Sequence, residues 1–254
     1  MEKISLTPSR DAALQATLGA NEWQADNQPV ELTIRTATLD GEPQVAEGSL
    51  KIHRLKEPAR VQRPALGGGY YGGYEPETRK EDLSNPNNWP LGEVLAEHGF
   101  TTDAEGKAKW QVNLGVGVYR AMLETQDRFG KKVTARTQIR VVKPDDTKLS
   151  IKIPHMLDAP KWSLEPGEQF MALWGTGYEA GRAFIEIEHR HKMIQRYWTK
   201  PGETQQQIRQ AVTEATRGGF TLHVTVGRPA LSRPSERLPT VAFARVLIVA
   251  IWGA

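Results

Sequence analysis

The residues that could carry chemistry in this sequence of 254 residues are few. His189 and His191 lie two positions apart, a spacing that would put both rings on one face of a strand and that metal sites use. No nearby carboxylate clearly joins them, and no further histidine stands at ligand spacing. We therefore favour a solvated hairpin tip over a metal site. A His-dependent metalloenzyme is kept as a hypothesis, which predicts bound metal that His189→Ala abolishes.

A run rich in glycine and tyrosine between residues 67 and 74 is the second candidate. It neither follows a βαβ strand nor opens a helix, and it has no Gly-Lys-Ser/Thr ending, so we do not expect it to bind phosphate. Three of its side chains, Tyr70, Tyr71 and Tyr74, are suited to contact a protein or a glycan from an exposed loop. We favour a plain variable insertion over this contact role.

Other catalytic signatures are missing from the sequence. The chain has no cysteine, which excludes disulfides, thiolate metal sites and thiol catalysis. It has no Gly-x-Ser-x-Gly elbow, and its acidic residues fall mostly at outward strand positions or in turns. The tryptophans stand mostly at strand starts or inward positions, which is typical of core residues. We expect a protein that is not an enzyme and that holds no metal or other cofactor.

The elements that position these residues are predicted to be β-strands. Apolar residues alternate with polar ones over many short segments, as at Val30, Leu32 and Ile34. Residues 205–215 fit both a helical face and a strand. We predict a strand there, because a short polar segment between two glycine-containing turns has little apolar surface to anchor a helix. The sequence thus predicts an all-β fold of two tandem antiparallel β-sandwiches.

Two related units are indicated by shared landmarks. Trp23 precedes Pro29 and a strand, as Trp162 precedes Pro166 and the strand with Phe170, Ala172 and Trp174. A glycine followed by an aromatic residue opens a late strand in both, at Gly117-Val118-Tyr119 and at Gly218-Gly219-Phe220. The interval between these landmarks is longer in the first unit by about the length of its Gly/Tyr/Pro-rich segment, so we predict an insertion there.

These landmarks give predicted domain limits. A poorly defined lead-in at 1–20 precedes a first sandwich at 21–143, whose insertion occupies 56–91. A polar, proline-containing break at Lys143-Pro144-Asp145-Asp146 separates it from a second sandwich at 147–226, with a new sheet beginning at Leu149, Ile151 and Ile153.

An atypical tail follows at residues 227–254. It is rich in arginine and proline and ends in a continuous apolar run at 246–252. One interpretation is a buried final strand. The other, which we favour, is a tail not native to the domain, through a shifted reading frame or a truncation. Central pairing of 241–252 in the second sheet, with a well-packed interior, would refute it.

Charge and hydropathy limit the partners. The net charge is +3 with a sequence pI near 9.0, but acidic and basic residues are interspersed and no basic face is visible, so we expect no nucleic acid. No stretch approaches the roughly 20 apolar residues of a membrane span. Residues 2–20 lack the apolar core of a signal peptide.

Several of these motifs resemble the macroglobulin domains of large bacterial alpha-2-macroglobulin-like proteins. In the second unit they are the segments 162–168, 183–198 and 218–225, and in the first unit 23–55 and 100–142. The resemblance implies a fibronectin-like scaffold in a long periplasmic, secreted or cell-surface chain that traps proteases. Its partners would be neighbouring macroglobulin domains and, through the full-length protein, proteases.

The family's reactive thioester needs a cysteine, which this chain lacks, and no bait region can be assigned. The expected function is therefore a non-catalytic structural segment of such an inhibitor. The alternative is a stand-alone surface or adhesion module that binds glycan or protein through the tyrosine-rich loop.

Overall fold

The computed structural model describes residues 13–21, 23–63 and 81–227, together with the backbone of a strand at 243–251. In these ranges the regular elements are β-strands and two short 3-10 turns, Pro86–Asn88 and Glu214–Thr216, and no helix there is long and apolar enough to cross a membrane. The chain divides into two compact units, the first ending at Lys143, and residues 59–63 group with the second. The predicted all-β fold is confirmed.

The first unit packs a three-stranded sheet against a five-stranded one. Its strands are β1 (Leu14–Gly19), β2 (Gln24–Ala25), β3 (Val30–Thr38), β4 (Glu47–Leu55), β5 (Leu91–Thr101), β6 (Lys107–Val112), β7 (Gly117–Gln126) and β8 (Lys132–Val142). The sheet orders are β1-β3-β6 and β2-β8-β7-β4-β5. Neighbouring strands are antiparallel except for a two-residue parallel contact of β2 with β8.

The core of the first unit lies between these two sheets. Alternate residues of β3, Val30, Leu32 and Ile34, are almost completely buried and belong to one cluster with inward residues of β4, β7 and β8. Full burial of such a side chain contributes about 1.5–3 kcal/mol relative to exposure. The alternation that predicted β3 is therefore what closes the sandwich.

The second unit repeats this topology strand for strand. Its strands are β9 (Met156–Asp158), β10 (Ser163–Leu164), β11 (Gln169–Gly175), β12 (Arg182–His189), β13 (Lys192–Trp198), β14 (Gln205–Ala211), β15 (Phe220–Gly227) and β16 (Phe243–Ile251). The orders are β14-β11-β9 and β10-β16-β15-β12-β13. Each is the order of the first unit with β9 in the place of β1 and β16 in the place of β8. The predicted strand within 205–215 is confirmed as β14.

The final strand belongs to the second sheet, which therefore extends beyond Val226, where we expected the sandwich to end. β16 pairs antiparallel with β15, from Phe220↔Val249 to Val226↔Phe243, and makes a two-residue parallel contact with β10. β8 makes the same two contacts, with β7 and β2, in the first unit. This pairing favours the final-strand interpretation over the non-native tail that we preferred. Residues 228–242, which separate β15 from β16 along the chain, lie outside the described residues.

Two further expectations are corrected at the starts of the units. Part of the region we interpreted as a lead-in, Leu14–Gly19, is strand β1, which pairs with β3 over six residues and buries alternate side chains. In the second unit Leu149, Ile151 and Ile153 are buried but do not form a strand. Their backbone bonds to loops instead, because Gly177 N–H donates to Ile153 O at 2.9 Å and Leu149 N–H donates to the Thr204 hydroxyl at 3.2 Å.

The Gly/Tyr/Pro-rich segment joins β4 to β5. At the equivalent place in the second unit, β12 and β13 are joined by Arg190 and His191 alone. The two units therefore present the same sheet edge with very different connections.

Candidate functional site

The turn between β12 and β13 holds the two histidines. Arg190 and His191 both adopt left-handed backbone conformations, with φ values of 47° and 62°. A two-residue hairpin turn whose twist matches that of its strands requires positive φ at both positions. His191 is therefore a turn residue, and its ring lies 3.6 Å from Glu188 Oε1. The ring of His189 lies elsewhere, with Nδ1 2.6 Å from Gly219 O. The expectation that both rings share one strand face is wrong.

A carboxylate does stand near this turn. Glu188 also lies 3.9 Å from His223 Nε2, so it is placed between two imidazoles on the outer sheet face. Within the described ranges, however, no group of three or more His, Asp or Glu residues could hold a metal ion.

The tyrosines Tyr70, Tyr71 and Tyr74 lie outside the described residues. Their role as contacts for a protein or glycan stays a prediction.

The described end of the insertion, residues 81–90, is fixed by local hydrogen bonds. Asp82 Oδ1 accepts from Ser84 N–H at 2.9 Å and Asn85 Oδ1 accepts from Asn87 N–H at 3.0 Å, the side-chain-to-backbone pattern that favours turns. Trp89 is buried and its indole N–H donates to Leu83 O at 2.8 Å. These contacts hold the chain that enters β5.

Arg120 of β7 holds the same segment against the sheet. Its Nη2 donates to Pro86 O at 3.2 Å and to Asn87 O at 2.8 Å. Burial, and then the neighbouring Arg136, lower the pKa of Arg120, but a guanidinium this basic stays charged at neutral pH. The outer side of the first five-stranded sheet therefore carries a segment of its own chain here.

An exposed aromatic cluster stands on the outer face of the second five-stranded sheet. It consists of Arg182, Phe184 and Trp198, and we call it the aromatic cluster. Trp198 is 51% exposed. Its ring centroid lies 5.1 Å from that of Phe184, and the Arg182 guanidinium carbon lies 5.3 Å from the Trp198 ring centroid, within cation–π range. Arg182 Nε also donates to Thr199 O at 3.0 Å, which fixes the guanidinium.

This cluster was not expected from the sequence, in which the tryptophans have the positions of core residues. For Trp198 that expectation is wrong. The cause lies in β13, where apolar residues occupy both alternating positions. The β12–β13 register shifts between Ile187 and Glu188, leaving Ile194 as an extra residue, so a simple period of two does not tell which side faces the core. The signal present in the sequence is the alternation of β12, in which Ala183 and Ile185 are inward and Phe184 is outward; Trp198 pairs with Phe184.

The first unit shows what the fold needs at the position of the aromatic cluster. The equivalent register shift follows Ile52 in the β4–β5 pair, and Ile52 pairs with Ala121 of β7 as Ile187 pairs with Leu222 of β15. In the first unit the residue three positions before the shifted pair's Ile52 is Ser49, which pairs with Gly99. In the second unit the residue three positions before Ile187 is Phe184, which pairs with Trp198. A serine and a glycine thus satisfy this fold, and the aromatic pair is not required by it.

Further apolar and basic residues of β13 extend the aromatic cluster along the sheet edge. Met193 is 45% and Ile194 42% exposed, and β13 is the last strand in its sheet. Lys192 and Arg196 of the same strand form no ion pair with another described residue. An edge strand with exposed apolar side chains and unpaired cations is chemically suited to bind a protein.

Comparisons with known proteins give structural likenesses only. No protein-family model matches the sequence, and no curated protein matches it. Two similar solved structures are the native conformation of E. coli alpha-2-macroglobulin and Salmonella alpha-2-macroglobulin reacted with methylamine, each with 12% identity, a TM-score of 0.32 and 94% of this chain covered. A tetra-tandem repeat from the extending region of a large adhesion protein has 9% identity, a TM-score of 0.28 and 93% of this chain covered.

These likenesses cover only part of each neighbouring chain. The chain spans 17% and 16% of the two macroglobulin chains and 48% of the adhesion repeat. At these identities and TM-scores they identify no family, and the all-β fold of this chain rests on the strands and pairings described above.

Proposed function

We propose that this chain is a non-catalytic scaffold segment of a larger, exported, protease-trapping protein of the alpha-2-macroglobulin-like type. The observation that carries the proposal is the repetition of one sandwich topology in two successive units, each with its own buried core. Serial copies of one sandwich suit a scaffold whose role is spacing and support. The resemblance of the sequence motifs to macroglobulin domains supplies the protein class.

The electrostatics of the described residues support a scaffold rather than an active site. Lowered carboxyl pKa values occur at Glu31, through Lys109, and at Glu168, through Lys161, and both are solvent-exposed cross-strand or turn pairs. The pKa of Asp127 is also lowered, through backbone hydrogen bonds from Ala13 and from its own turn. Catalytic groups are ordinarily perturbed by burial and charge within a cleft. The proposal therefore assigns this chain no reaction, and its partners are neighbouring domains and, through the full-length protein, proteases.

The test compares the purified chain with the complete product of its gene. Each is mixed with a broad-specificity protease, and cleavage of a large protein substrate and of a short chromogenic peptide is measured. We expect the complete product to suppress cleavage of the large substrate and to spare that of the peptide, and the chain alone to change neither rate. Suppression by the chain alone, or none by the complete product, would refute the proposal.

A second candidate, a stand-alone adhesion module, is favoured by the tyrosine-rich run of the sequence. A glycan array and a protein pull-down with the intact chain and with a variant lacking residues 64–88 separate the two candidates. The scaffold proposal expects no difference between them, whereas an adhesion module that uses this loop loses its binding.

A further inference from the structure

The aromatic cluster is a feature that the scaffold role does not explain. Its positions are filled by Ser49 and Gly99 in the first unit, in the same topology and at the same register. An exposed tryptophan on a sheet face also lowers solubility without adding much to the core. A residue pair that the fold does not need, and that carries this cost, calls for a role at the surface.

The composition of this surface is that of a protein-binding hot spot. Tryptophan, arginine and methionine are enriched in such sites, and here Trp198, Arg182 and Met193 lie on two neighbouring strands. The cluster is also held in place before binding, because Arg182 is bonded to Thr199 O and lies over the indole. Side chains that are already ordered lose little conformational entropy on binding.

The cations of β13 indicate the charge of a partner that would bind this surface. Arg196 stands two residues before Trp198 and has no ion partner among the described residues, although Glu186 is its register neighbour on β12. Lys192, at the other end of β13, also lacks one there, whereas Lys200 is paired with Glu203 at 3.5 Å. Two unpaired cations beside exposed apolar side chains complement a segment that carries carboxylates beside apolar residues.

A sugar fits this surface less well. Stacking of a pyranose needs an open aromatic face, and the Trp198 ring is already in contact with the Arg182 guanidinium and the Phe184 ring.

We propose that the aromatic cluster, with the exposed edge of β13, binds an acidic polypeptide segment that carries apolar side chains. Trp198 and Phe184 contact the apolar residues of that segment, and Arg196 and Lys192 pair with its carboxylates. This inference does not rest on the scaffold function, since a free surface of this chemistry can bind in any context.

The test uses the full chain and three fluorescein-labelled peptides measured by fluorescence anisotropy. The peptides share leucine and phenylalanine residues and differ only in the remaining positions, which are acidic, basic or uncharged. We expect the acidic peptide to bind most tightly and its affinity to fall with added salt. Phe184→Ser with Trp198→Gly, the pair that the first unit carries, should weaken binding about tenfold or more, as loss of a hot spot does.

Two single-charge variants make the test independent of folding. Arg196→Gln, at an exposed position, should weaken binding several-fold and reduce its salt dependence, while Arg136→Gln, a matched exposed arginine on β8, should change neither. Amide exchange of β12 and β15, and of β7 for Arg136→Gln, verifies that each variant is folded. Equal binding of the three peptides, binding that survives the Phe184/Trp198 exchange, or binding of linear oligosaccharides in place of peptides would each overturn the proposal.

Discussion

A glycine in the first unit offers a quantitative test of the correspondence between the two sandwiches. Gly48 of β4 lies opposite Phe100 of β5, and a Cβ built on it would stand 2.8 Å from Phe100 Cε1 and in close contact with Glu124 O of β7. The equivalent pair in the second unit is Ala183 and Thr199. A methyl group is thus present there, opposite a much smaller side chain.

The cost of Gly48→Ala follows from this geometry. Carbon atoms in contact prefer separations of about 3.5–4.0 Å, so the Phe100 ring must move by roughly 0.7 Å or more, and the β7 backbone at Glu124 must shift as well. The ring cannot swing into solvent, because Phe100 is only 7% exposed. Overpacking of this kind costs about 1–3 kcal/mol. The usual gain of replacing glycine in the unfolded chain, about 0.4–1 kcal/mol, offsets part of it.

Amide hydrogen exchange of β4 and β7 gives the free energy of opening of the first unit. Gly115→Ala is the control, because no atom lies within 4 Å of the new methyl group. We expect Gly48→Ala to lose about 1–2 kcal/mol relative to this control. The double variant Gly48→Ala/Phe100→Thr should cost less than the sum of its parts, by about 0.5 kcal/mol or more. Equal stability of the two alanine variants, or strict additivity in the double variant, would refute the reasoning.

Three other outcomes are expected. Phe170→Ala removes a fully buried ring that packs edge-on against Phe220 at 5.4 Å, and should lower the exchange-derived stability of β11 and β15 by about 3–5 kcal/mol; an unchanged value contradicts the assigned core. Arg120→Met removes two hydrogen bonds to the Pro86–Asn88 turn, so proteolysis within 81–90 should become faster, which a time course of digestion measures. Asp127 accepts hydrogen bonds from the backbone of Ala13, then of the following turn, and these hold its carboxyl pKa below the ordinary 3.8. The ionised Asp127 therefore stabilises the fold above pH 3.8, and this stabilisation is lost as the pH falls through the lowered pKa. In urea denaturation at a series of pH values, Asp127→Asn should reduce the loss of unfolding free energy on acidification.

The sequence predicted most strands because alternation is a local signal. Val30, Leu32 and Ile34 reveal β3 without reference to any other part of the chain. β1 is harder to find, since its inward residues are only Leu14, Ala16 and Leu18, and small side chains weaken the pattern.

What could not be predicted depends on pairing between distant segments. The run at 246–252 has no alternation, and only its register with β15 shows that it is a strand of the second sheet. The exposure of Trp198 likewise depends on the register shift in the neighbouring pair β12–β13. Pairing is a property of two segments, so a pattern within one of them does not contain it.

The placement of the last strand in each unit has a consequence for folding. β8 lies between β2 and β7, and β16 lies between β10 and β15, so the strand made last enters the interior of the sheet. During synthesis the hydrogen-bonding edge of β7 or β15 stays open until that strand leaves the ribosome, and open edges are sites of misassembly. The contacts of these strands with β2 and β10 also join residues far apart in sequence, such as Gln24 and Val141, which slows folding. In two such units made one after the other, the strand that closes the first is complete before β15, with its own open edge, has been synthesised.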